Sequence, residues 1–456
     1  MMEKKAVSRR NFLGTSVVGA AGVIGLAGLA SSCSDKQLKV SVIPPPLKAD
    51  NGIPIKAGVI GCGGRGTGAA LNFLNAGEGV EIVAIADLFE DRITKFRNNL
   101  KNKKEVELAD EKCFFGFDAY EKVLAEDINY VILATPPHFR PMQFEAAVKA
   151  RKNVFMEKPV AVDPVGARRI IVAGKQAESM GLSVVAGTQR RHQWNYLEVY
   201  EYIKAGAIGD IVAGYAYWNG GKLWHVNPQA KWSEMEAHVR NWVNWMWLSG
   251  DHIVEQHVHN IDVINWFKGA HPVKALGFGS RQRRVTGDQY DNFSVDFTYE
   301  DGTKMHSMCR QFNGATRNVS EFIQGTKGYT DCKNSIHSHD GTLINETNKA
   351  KNGTDEEKAA FDAKYISPYD QEHVDLVNAI RRGQAINEAE NVANSTMTAI
   401  MGRISAYTGR ETSWDEMMNS DLHFQPAVYD LGAVQNVPKE VPVPGEVADV
   451  QQSKKV

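Results

Sequence analysis

A short apolar strand that runs into a glycine-rich turn constrains this chain more than any other feature. Residues 55–60 are apolar apart from Lys56, and they lead into Gly61, Gly63 and Gly66 in a G-x-G-x-x-G spacing. Such a turn presents backbone N–H groups and the start of a helix to an anion, which is how a dinucleotide pyrophosphate is bound. The spacing alone is weak, because with 40 glycines in 456 residues a plain turn in an α/β domain would match it too.

The residues around the turn favour dinucleotide binding. A helical pattern follows over 67–73, and a second apolar run over 80–86 ends in Asp87. A carboxylate at that distance from the turn accepts hydrogen bonds from an adenosine ribose. No arginine follows Asp87 directly to bind a 2′-phosphate, so the sequence predicts NAD over NADP, although Arg65 and Arg92 are close in sequence.

Length, charge and cysteine content limit the other classes of protein to which the chain could belong. A chain of 456 residues predicts two or three domains whose hydrophobic cores are large enough to need no disulfide or metal for stability. The formal net charge of −2 gives no electrostatic reason to expect nucleic acid as a partner. The five cysteines form no C-x-x-C pair and no zinc spacing, so we expect no disulfide framework.

The N-terminus is typical of an export signal over residues 1–33. Basic residues precede an apolar, glycine- and alanine-rich stretch over 17–30 that is too short and too small in side-chain volume for a good membrane span. Residues 8–14 resemble the twin-arginine signal that exports folded proteins, which predicts a periplasmic protein. Residues 29–33 resemble a lipoprotein cleavage box, in which Cys33 is either a lipid anchor or an unmodified cysteine of a cleaved leader.

The remaining chain predicts a linker, two domains and an extension. Residues 34–54 have the composition of a tether. Over 55–188, apolar strands alternate with helical patterns, which predicts an α/β Rossmann domain with a doubly wound parallel sheet and its ligand at the C-terminal strand ends. Residues 189–412 predict an α+β domain with an open, mainly antiparallel sheet. We expect residues 413–456 to wrap over a surface or a neighbouring subunit.

Four motifs in the same order resemble the Gfo/Idh/MocA oxidoreductases. They are the glycine turn, Ala-Thr-Pro-Pro at 134–137, Glu-Lys-Pro at 157–159 and the run over 250–266, and the likeness covers about 55–412. The resemblance implies a nicotinamide-binding Rossmann domain and an α+β domain that often buries its open sheet face in homodimers or homotetramers. It also implies a sugar or polyol substrate between the two domains.

The resemblance assigns roles to single residues. The catalytic lysine of the family falls on Lys158, and the Asp-x-x-x-His pair falls on Glu255 and His259, with glutamate replacing aspartate. Members commonly carry a histidine where this chain has Arg140, which leaves a nicotinamide-side role for the nearby His138 open. The predicted cofactor-binding residues are Gly61, Gly63, Gly64, Arg65, Gly66, Asp87, Thr135, Pro136, His138, Glu157 and Lys158.

Alcohol oxidation needs a group that accepts the hydroxyl proton while hydride leaves for the nicotinamide. Lys158 fits, because a positively charged nicotinamide would favour the neutral amine. Helical spacing predicts one stripe of four polar residues, His252, Glu255, His259 and Asp262. Glu255 could then orient His259. A metal site or a structural histidine are the alternatives, but His257 would lie on nearly the opposite helix face from His259, so we predict no metal.

Tryptophan is concentrated just before this stripe. Six of the nine tryptophans lie within 218–247, interleaved with polar residues. Indole faces stack on sugar rings, so we expect two or three of them to line a carbohydrate cleft and the rest to be core or interface residues. The predicted substrate contacts are Arg190, Arg191, His192, Trp224, His225 and Asp262. For the first three, surface salt bridges are the alternative.

Together these features predict an exported NAD-dependent oxidoreductase that acts on a secondary hydroxyl of a sugar, polyol or glycoside. A compartment outside the inner membrane offers no reliable supply of free NAD, so we expect the nicotinamide to stay bound through many turnovers. The alternatives are an NAD-dependent glycosidase that oxidises the sugar transiently and a non-catalytic carbohydrate-binding member of the fold. The retained Lys158 argues against the first, and Lys158 with His259 argues against the second.

Overall fold

Six parallel strands form the first sheet in the computed structural model, which describes residues 40–347 and 353–446. The strands are β1 (Ile55–Ile60), β2 (Val80–Asp87), β3 (Cys113–Phe115), β4 (Tyr130–Leu133), β5 (Asn153–Met156) and β6 (Val184–Ala186). Their order is β3-β2-β1-β4-β5-β6, so the connections reverse direction between β1 and β4. This is the doubly wound dinucleotide-binding arrangement, which places a ligand at the carboxyl ends of those two strands.

Helices cover both faces of this sheet, which is why its central strands are almost continuously apolar and buried. The helices of the domain are α1 (Gly64–Asn75), α2 (Glu90–Lys104), α3 (Ala119–Ala125), α4 (Arg140–Lys149) and α5 (Pro164–Ser179). One face packs against α1 and α2, and the other packs against α3, α4 and α5. The predicted α/β fold is confirmed for this part of the chain.

The first domain also uses residues far along the chain, which corrects its predicted boundary at 188. Helix α12 (Pro368–Arg382) packs beside α1, and its Val374 and Val377 belong to the same apolar core as β1. The end of the predicted tether docks there too, since the Asp50 N–H donates to Asn378 Oδ1 at 2.8 Å. Apolar spacing predicts such a helix but not which core it joins.

A nine-stranded sheet forms the second domain. Its strands are β7 (Ile211–Gly220), β8 (Lys274–Ser280), β9 (Asn292–Thr298), β10 (Lys304–Gln311), β11 (Asn318–Gly325), β12 (Gly328–Thr330), β13 (Ser335–Ser338), β14 (Leu343–Glu346) and β15 (Thr412–Ser413). Their order is β14-β13-β12-β11-β7-β10-β9-β8-β15, with only β7 and β10 parallel among these neighbours. The predicted open, mainly antiparallel sheet is confirmed.

Helices pack on one face of the second sheet and leave apolar residues on the other. The other helices are α6 (Trp194–Lys204), α7 (Glu234–Arg240), α8 (Met246–Ser249), α9 (His252–Glu255), α10 (Val258–Lys268), α11 (Asp355–Asp362), α13 (Ala389–Thr408) and α14 (Trp414–Asn419). Helices α10 and α13 lie against the sheet. On the open face, Phe278 is 71% exposed and Leu276 is 55% exposed.

The structure describes most of the C-terminal extension but not the predicted export signal. The described part of the extension, up to residue 446, lies over the chain's own surface: the Phe424 N–H donates to Asp163 at 2.9 Å, and Lys439 pairs with Glu234 at 2.6 Å. The predicted export signal over 1–33, with Cys33, lies outside the described residues. Among those that are described, no helix has the length and apolar character to span a membrane.

Candidate functional site

The glycine turn between β1 and α1 is shaped by close backbone contacts. Gly61 has a φ of +104°, and a Cβ there would lie 2.6 Å from the Thr135 nitrogen. A Cβ on Gly66 would lie 1.7 Å from the Gly61 oxygen. In contrast, a Cβ on Gly63 or Gly64 would meet nothing within 4 Å, so the backbone there faces open space. A ligand can approach the start of α1 at these two residues.

Asp87 is positioned by the same turn. Its carboxylate accepts hydrogen bonds from the Cys62 N–H at 2.7 Å and the Phe89 N–H at 3.0 Å. Burial raises the pKa of Asp87, while these two backbone donors favour its charged form. The carboxylate is thereby held at the C-terminal end of β2, where a ribose would be bound.

A cleft of about 510 Å³ extends from the turn. The predicted residues in its wall are Gly61, Gly63, Gly64, Arg65, Asp87, Thr135, Pro136 and Trp224. The wall also contains Arg92 and Trp242, which sequence analysis noted without assigning them to this site, and residues that it missed, among them Phe89, Phe117, Tyr120, Gln143, Val239 and Arg240. Phe89 and Phe117 follow β2 and β3, so the rule that ligands lie at strand ends could have found them. The volume is within the usual range of ligand sites, roughly 300–1,000 Å³.

The second domain supplies one wall of this cleft. Trp224 and Trp242 lie with ring centroids 6.3 Å apart, and Arg240 is centred 3.9 Å over the Phe89 ring. Arg240 also pairs with Asp91 of α2 at 2.8 Å. We call Trp224, Trp242 and Arg240 the cleft wall. Trp224, predicted as a substrate contact, and Trp242 of the same tryptophan cluster therefore line the cleft that extends from the glycine turn.

Lys158 lies just beyond the carboxyl end of β5 and is joined to Pro159 by a cis peptide bond. Its ammonium donates to the Glu255 backbone oxygen and lies 3.2 Å from Glu255 Oε1. The two side chains are 12% and 13% exposed, respectively. The first domain thus contacts the second through the predicted catalytic lysine.

His259, at the start of α10, lies beside this pair. Its ring stacks on Trp218, with centroids 5.8 Å apart. Burial lowers the pKa of His259 well below its usual range, and the charges of Lys158, Arg190 and Arg65 add to the effect. The imidazole is therefore neutral near pH 7. Its Nδ1 is buried and has no hydrogen-bond partner among the described residues.

The predicted single stripe of polar residues is wrong, because the helix is interrupted. Helix α9 ends at Glu255 and α10 begins at Val258. His252 is buried in the core with Asp251, at 2.9 Å, and Glu255 bonds Lys158 instead of orienting His259. His257 points inward and bonds Ser307 at 2.8 Å. No proline or glycine marks this break, so it could not be predicted from local residue types.

Arg191, His192 and Asp262 form buried ion pairs, which corrects their prediction as substrate contacts. Arg191 donates both Nε and Nη2 to Asp262, at 2.8 and 2.9 Å. His192 lies between Asp375 at 2.6 Å and Glu388 at 3.1 Å. We call these five residues the clasp. They were predicted to meet solvent or substrate, but their partners lie 71 to 196 residues away and cannot be read from local spacing.

Protonation of His192 is part of the clasp. Burial would lower the pKa of His192, but the Glu388 and Asp375 carboxylates raise it well above its usual range. Arg190 differs from its neighbours: it pairs with Glu321 at 2.7 Å, and its guanidinium is 6.0 Å from the Trp218 ring centroid. Arg190 therefore borders the site of His259.

Three other predicted residues have different surroundings from those expected. His138 bonds the Tyr429 hydroxyl at 2.7 Å and packs on Trp247, and burial lowers its pKa to about 3, so it does not line the cleft. Glu157 bonds Arg65, and its Oε2 lies so close to Gly187 that a Cβ on that glycine would be only 2.6 Å away. His225 is exposed. A role of His138 in binding the cofactor stays a prediction.

Arg140 occupies the place where relatives of the predicted family commonly have a histidine. Its guanidinium is buried and donates to the Glu157 backbone oxygen at 3.0 Å and to the Thr135 backbone oxygen at 2.6 Å. Arg140 therefore ties together the ends of β4 and β5, on either side of the predicted nicotinamide position. Trp245 and Trp247 are structural too: the first stacks on His238 at 3.6 Å and the second is fully buried.

Comparison with known families agrees with this geometry. Residues 55–185 match the model described as an oxidoreductase family with an NAD-binding Rossmann fold, and residues 196–330 match the GFO/IDH/MocA C-terminal domain. The chain belongs to the Gfo/Idh/MocA family. This confirms the predicted family, the dinucleotide-binding domain and NAD as its cofactor. The open backbone at Gly63 and Gly64 and the Asp87 carboxylate fit that cofactor.

Among curated proteins, inositol 2-dehydrogenase 1 of Saccharopolyspora erythraea is 27% identical over 206 residues, which is 45% of this chain and 57% of that protein. Inositol 2-dehydrogenase of Salmonella paratyphi B is 26% identical over 212 residues, 46% of this chain and 54% of that protein. The matches thus span little more than half of these relatives.

A solved structure shows the same fold. Scyllo-inositol dehydrogenase of Lactobacillus casei, with bound NAD(H) and scyllo-inositol, aligns with a TM-score of 0.58 at 21% identity. The alignment covers 79% of this chain and 99% of that one.

Proposed function

We propose that this protein is an NAD-dependent oxidoreductase that acts on a secondary hydroxyl of a sugar, polyol or glycoside. The observation that carries the proposal is the bond between Lys158, at a strand end of the dinucleotide-binding sheet, and Glu255 of the second domain, with His259 near enough for the lysine charge to act on it. The names of the inositol dehydrogenase relatives support a polyhydroxylated substrate.

Each side chain has a role in this chemistry. NAD, when bound, accepts a hydride from the substrate carbon. Lys158 and the neutral His259 are two groups that can bond the reacting hydroxyl and take up or return its proton. Glu255 holds Lys158 in place at the boundary of the two domains, with its Oε1 3.2 Å from the lysine Nζ. Trp218 offers an aromatic face next to His259 for a sugar ring.

We further propose that the nicotinamide cofactor stays bound between turnovers. The cleft wall supports this, because Arg240 joins the second domain to α2 beside the predicted ribose site. Export by a twin-arginine signal, with Cys33 as a lipid anchor, remains a proposal from the sequence. A homodimer or homotetramer is supported by the apolar open face of the second sheet, where Phe278 and Leu276 are exposed.

The experiment uses the full chain purified after export. We expect denaturation to release close to one nicotinamide nucleotide per chain, and we expect sugars or polyols to reduce it with no NAD added. Product mass spectra would then identify the oxidised carbon. Release of an aglycone without net reduction would establish the glycosidase instead. A folded protein that carries no nucleotide and reduces none on addition of NAD would contradict the proposal.

A further inference from the structure

A second, smaller recess of about 180 Å³ lies outside the site described above. Its lining residues are Lys222, Leu223, Asn244, Arg283, Arg284, Thr286, Gln311, Phe312 and Asn313. Three of the nine are cations, four carry neutral polar groups, and none is a carboxylate. Sites for whole ligands usually exceed roughly 300 Å³, so the recess suits one substituent of a larger ligand.

The cations of this recess have no ion-pair partner among the described residues, and the buried carboxylates of Asp251 and Asp288 act on Arg284 only from beyond 4.0 Å. In the described part of the chain, no carboxylate lies within 4.0 Å of the side-chain nitrogens of Lys222, Arg283 or Arg284. Arg284 donates only to neutral oxygens, including Asn244 Oδ1 at 2.9 Å and Gln311 Oε1 at 3.1 Å. These bonds fix the guanidinium in place. An arginine held rigidly in this way is a good partner for a carboxylate or sulfate.

The nearest acidic residues are used by the backbone instead. Asp291 accepts N–H groups from residues 282, 283 and 284, at distances of 2.6 to 3.1 Å. Asp288 accepts the Met246 N–H at 2.8 Å. Both carboxylates are buried and neither lines the recess. The loop therefore presents its cations outward.

The recess adjoins the reaction site. Gln311 in its wall donates to Gln256 at 2.7 Å, and Gln256 directly follows Glu255, the partner of Lys158. Lys222 lies four residues after Trp218, which stacks on His259. Four extended residues span at most about 13 Å, so a substrate with its reacting ring on Trp218 can extend to Lys222.

We propose that this recess binds an anionic substituent, a carboxylate or sulfate ester, on a sugar unit beside the one that is oxidised. The substrate class would then be an acidic oligosaccharide or acidic glycoside. This inference rests on the proposed function in taking the ligand to be a carbohydrate whose reacting unit lies at Trp218.

Equilibrium binding to the full chain tests it. Cellobiose, maltose and lactose are each compared with two acidic derivatives of the same disaccharide. In one, the primary alcohol of the non-reducing unit is oxidised to a carboxylate, and in the other that alcohol carries a sulfate ester. Inorganic sulfate is titrated alone. We expect at least one acidic form to bind tenfold or more tightly than its neutral parent. Lys222→Gln with Arg283→Gln should remove that preference and leave neutral-sugar affinity unchanged. The matched control, Lys103→Gln with Lys327→Gln, removes the same charge at exposed positions elsewhere and should keep it.

Equal binding of acidic and neutral forms would overturn the proposal, as would a preference that survives in the double variant. Inorganic sulfate binding as tightly as every acidic sugar would overturn it too, because the recess would then recognise no carbohydrate. Binding is measured apart from hydride transfer. Acidic sugars that bind through the recess but are never oxidised would therefore contradict the proposed function alone.

Discussion

The reaction site and the clasp are both built from charged side chains between the two domains, but they differ in how those side chains are paired. In the clasp, Arg191 and His192 meet carboxylates with every contact at 3.1 Å or less. In the reaction site, His259 keeps a buried nitrogen without a partner in the described structure, and Lys158 is held by a single residue. Buried clusters in which each cation is paired with carboxylates stabilise structure, whereas a buried group with neither a hydrogen-bond nor an ion-pair partner is a candidate for chemistry.

The largest expected effect separates the two regions by activity. Lys158→Ala should lower turnover by about 10² to 10⁴, the contribution of a positioned acid-base group, while nucleotide content and thermal stability stay close to those of the native protein. Lys152→Ala is the matched control, because Lys152 precedes the same strand but bonds the Ile128 backbone oxygen at its other end, at 2.8 Å. Turnover near the native rate in the Lys158 variant would remove this residue from the mechanism.

The second effect is the converse. Arg191→Met leaves the buried Asp262 without its partner, and loss of one member of a buried pair costs about 3–5 kcal/mol. We expect chemical denaturation to show that loss, with KM little changed in the fraction that stays folded. Arg191→Met with Asp262→Leu should recover part of the stability. A raised KM with native stability would instead return Arg191 to the substrate site.

The third prediction concerns pH and the clasp. The folded pKa of His192 is raised, so its contribution is fully present below the unfolded value of 6.5 and is lost as pH rises through the folded pKa. Above pH 6.5 the free energy of unfolding should fall by up to about 1.4 kcal/mol per pH unit. His192→Asn should flatten that slope in thermal unfolding measured from pH 5 to pH 9. An unchanged slope would show that His192 is not protonated in the clasp.

The smallest effect concerns the ion pair between Arg240 and Asp91, which joins the two domains at a partly exposed position. Arg240→Gln removes the pair with Asp91, whose side chain is 46% exposed, so the loss should be only about 0.5–1 kcal/mol. That corresponds to roughly two- to fivefold faster release of bound nucleotide. Stopped-flow displacement by a competing nucleotide would measure it. Arg169→Gln, which removes another surface pair, should leave the release rate unchanged.

The comparison also explains which features were predictable. The glycine turn, Asp87 and Lys158 were found because each lies at the end of an apolar strand, and strand ends of a parallel sheet meet at one edge. The clasp was missed because Asp375 and Glu388 are far along the chain from His192. The break after Glu255 was missed because helical periodicity continues through it in the sequence. Long-range contacts decided both cases, and one sequence carries no record of them.

The return of α12 to the first domain has a consequence for how the chain is made. The six strands of the first sheet are complete by residue 186, but the core beside β1 stays uncovered until Val374 and Val377 have been synthesised. During that interval α1 and α2 cover part of this sheet face, but the apolar area that α12 will bury stays exposed, which favours capture by a chaperone. We expect a fragment of residues 40–188 to aggregate on expression and to regain solubility when residues 366–393 are supplied by fusion, as sedimentation of the lysate would show. Synthesis order and folding order therefore differ in this protein, and its nucleotide-binding domain becomes complete only near the end of translation.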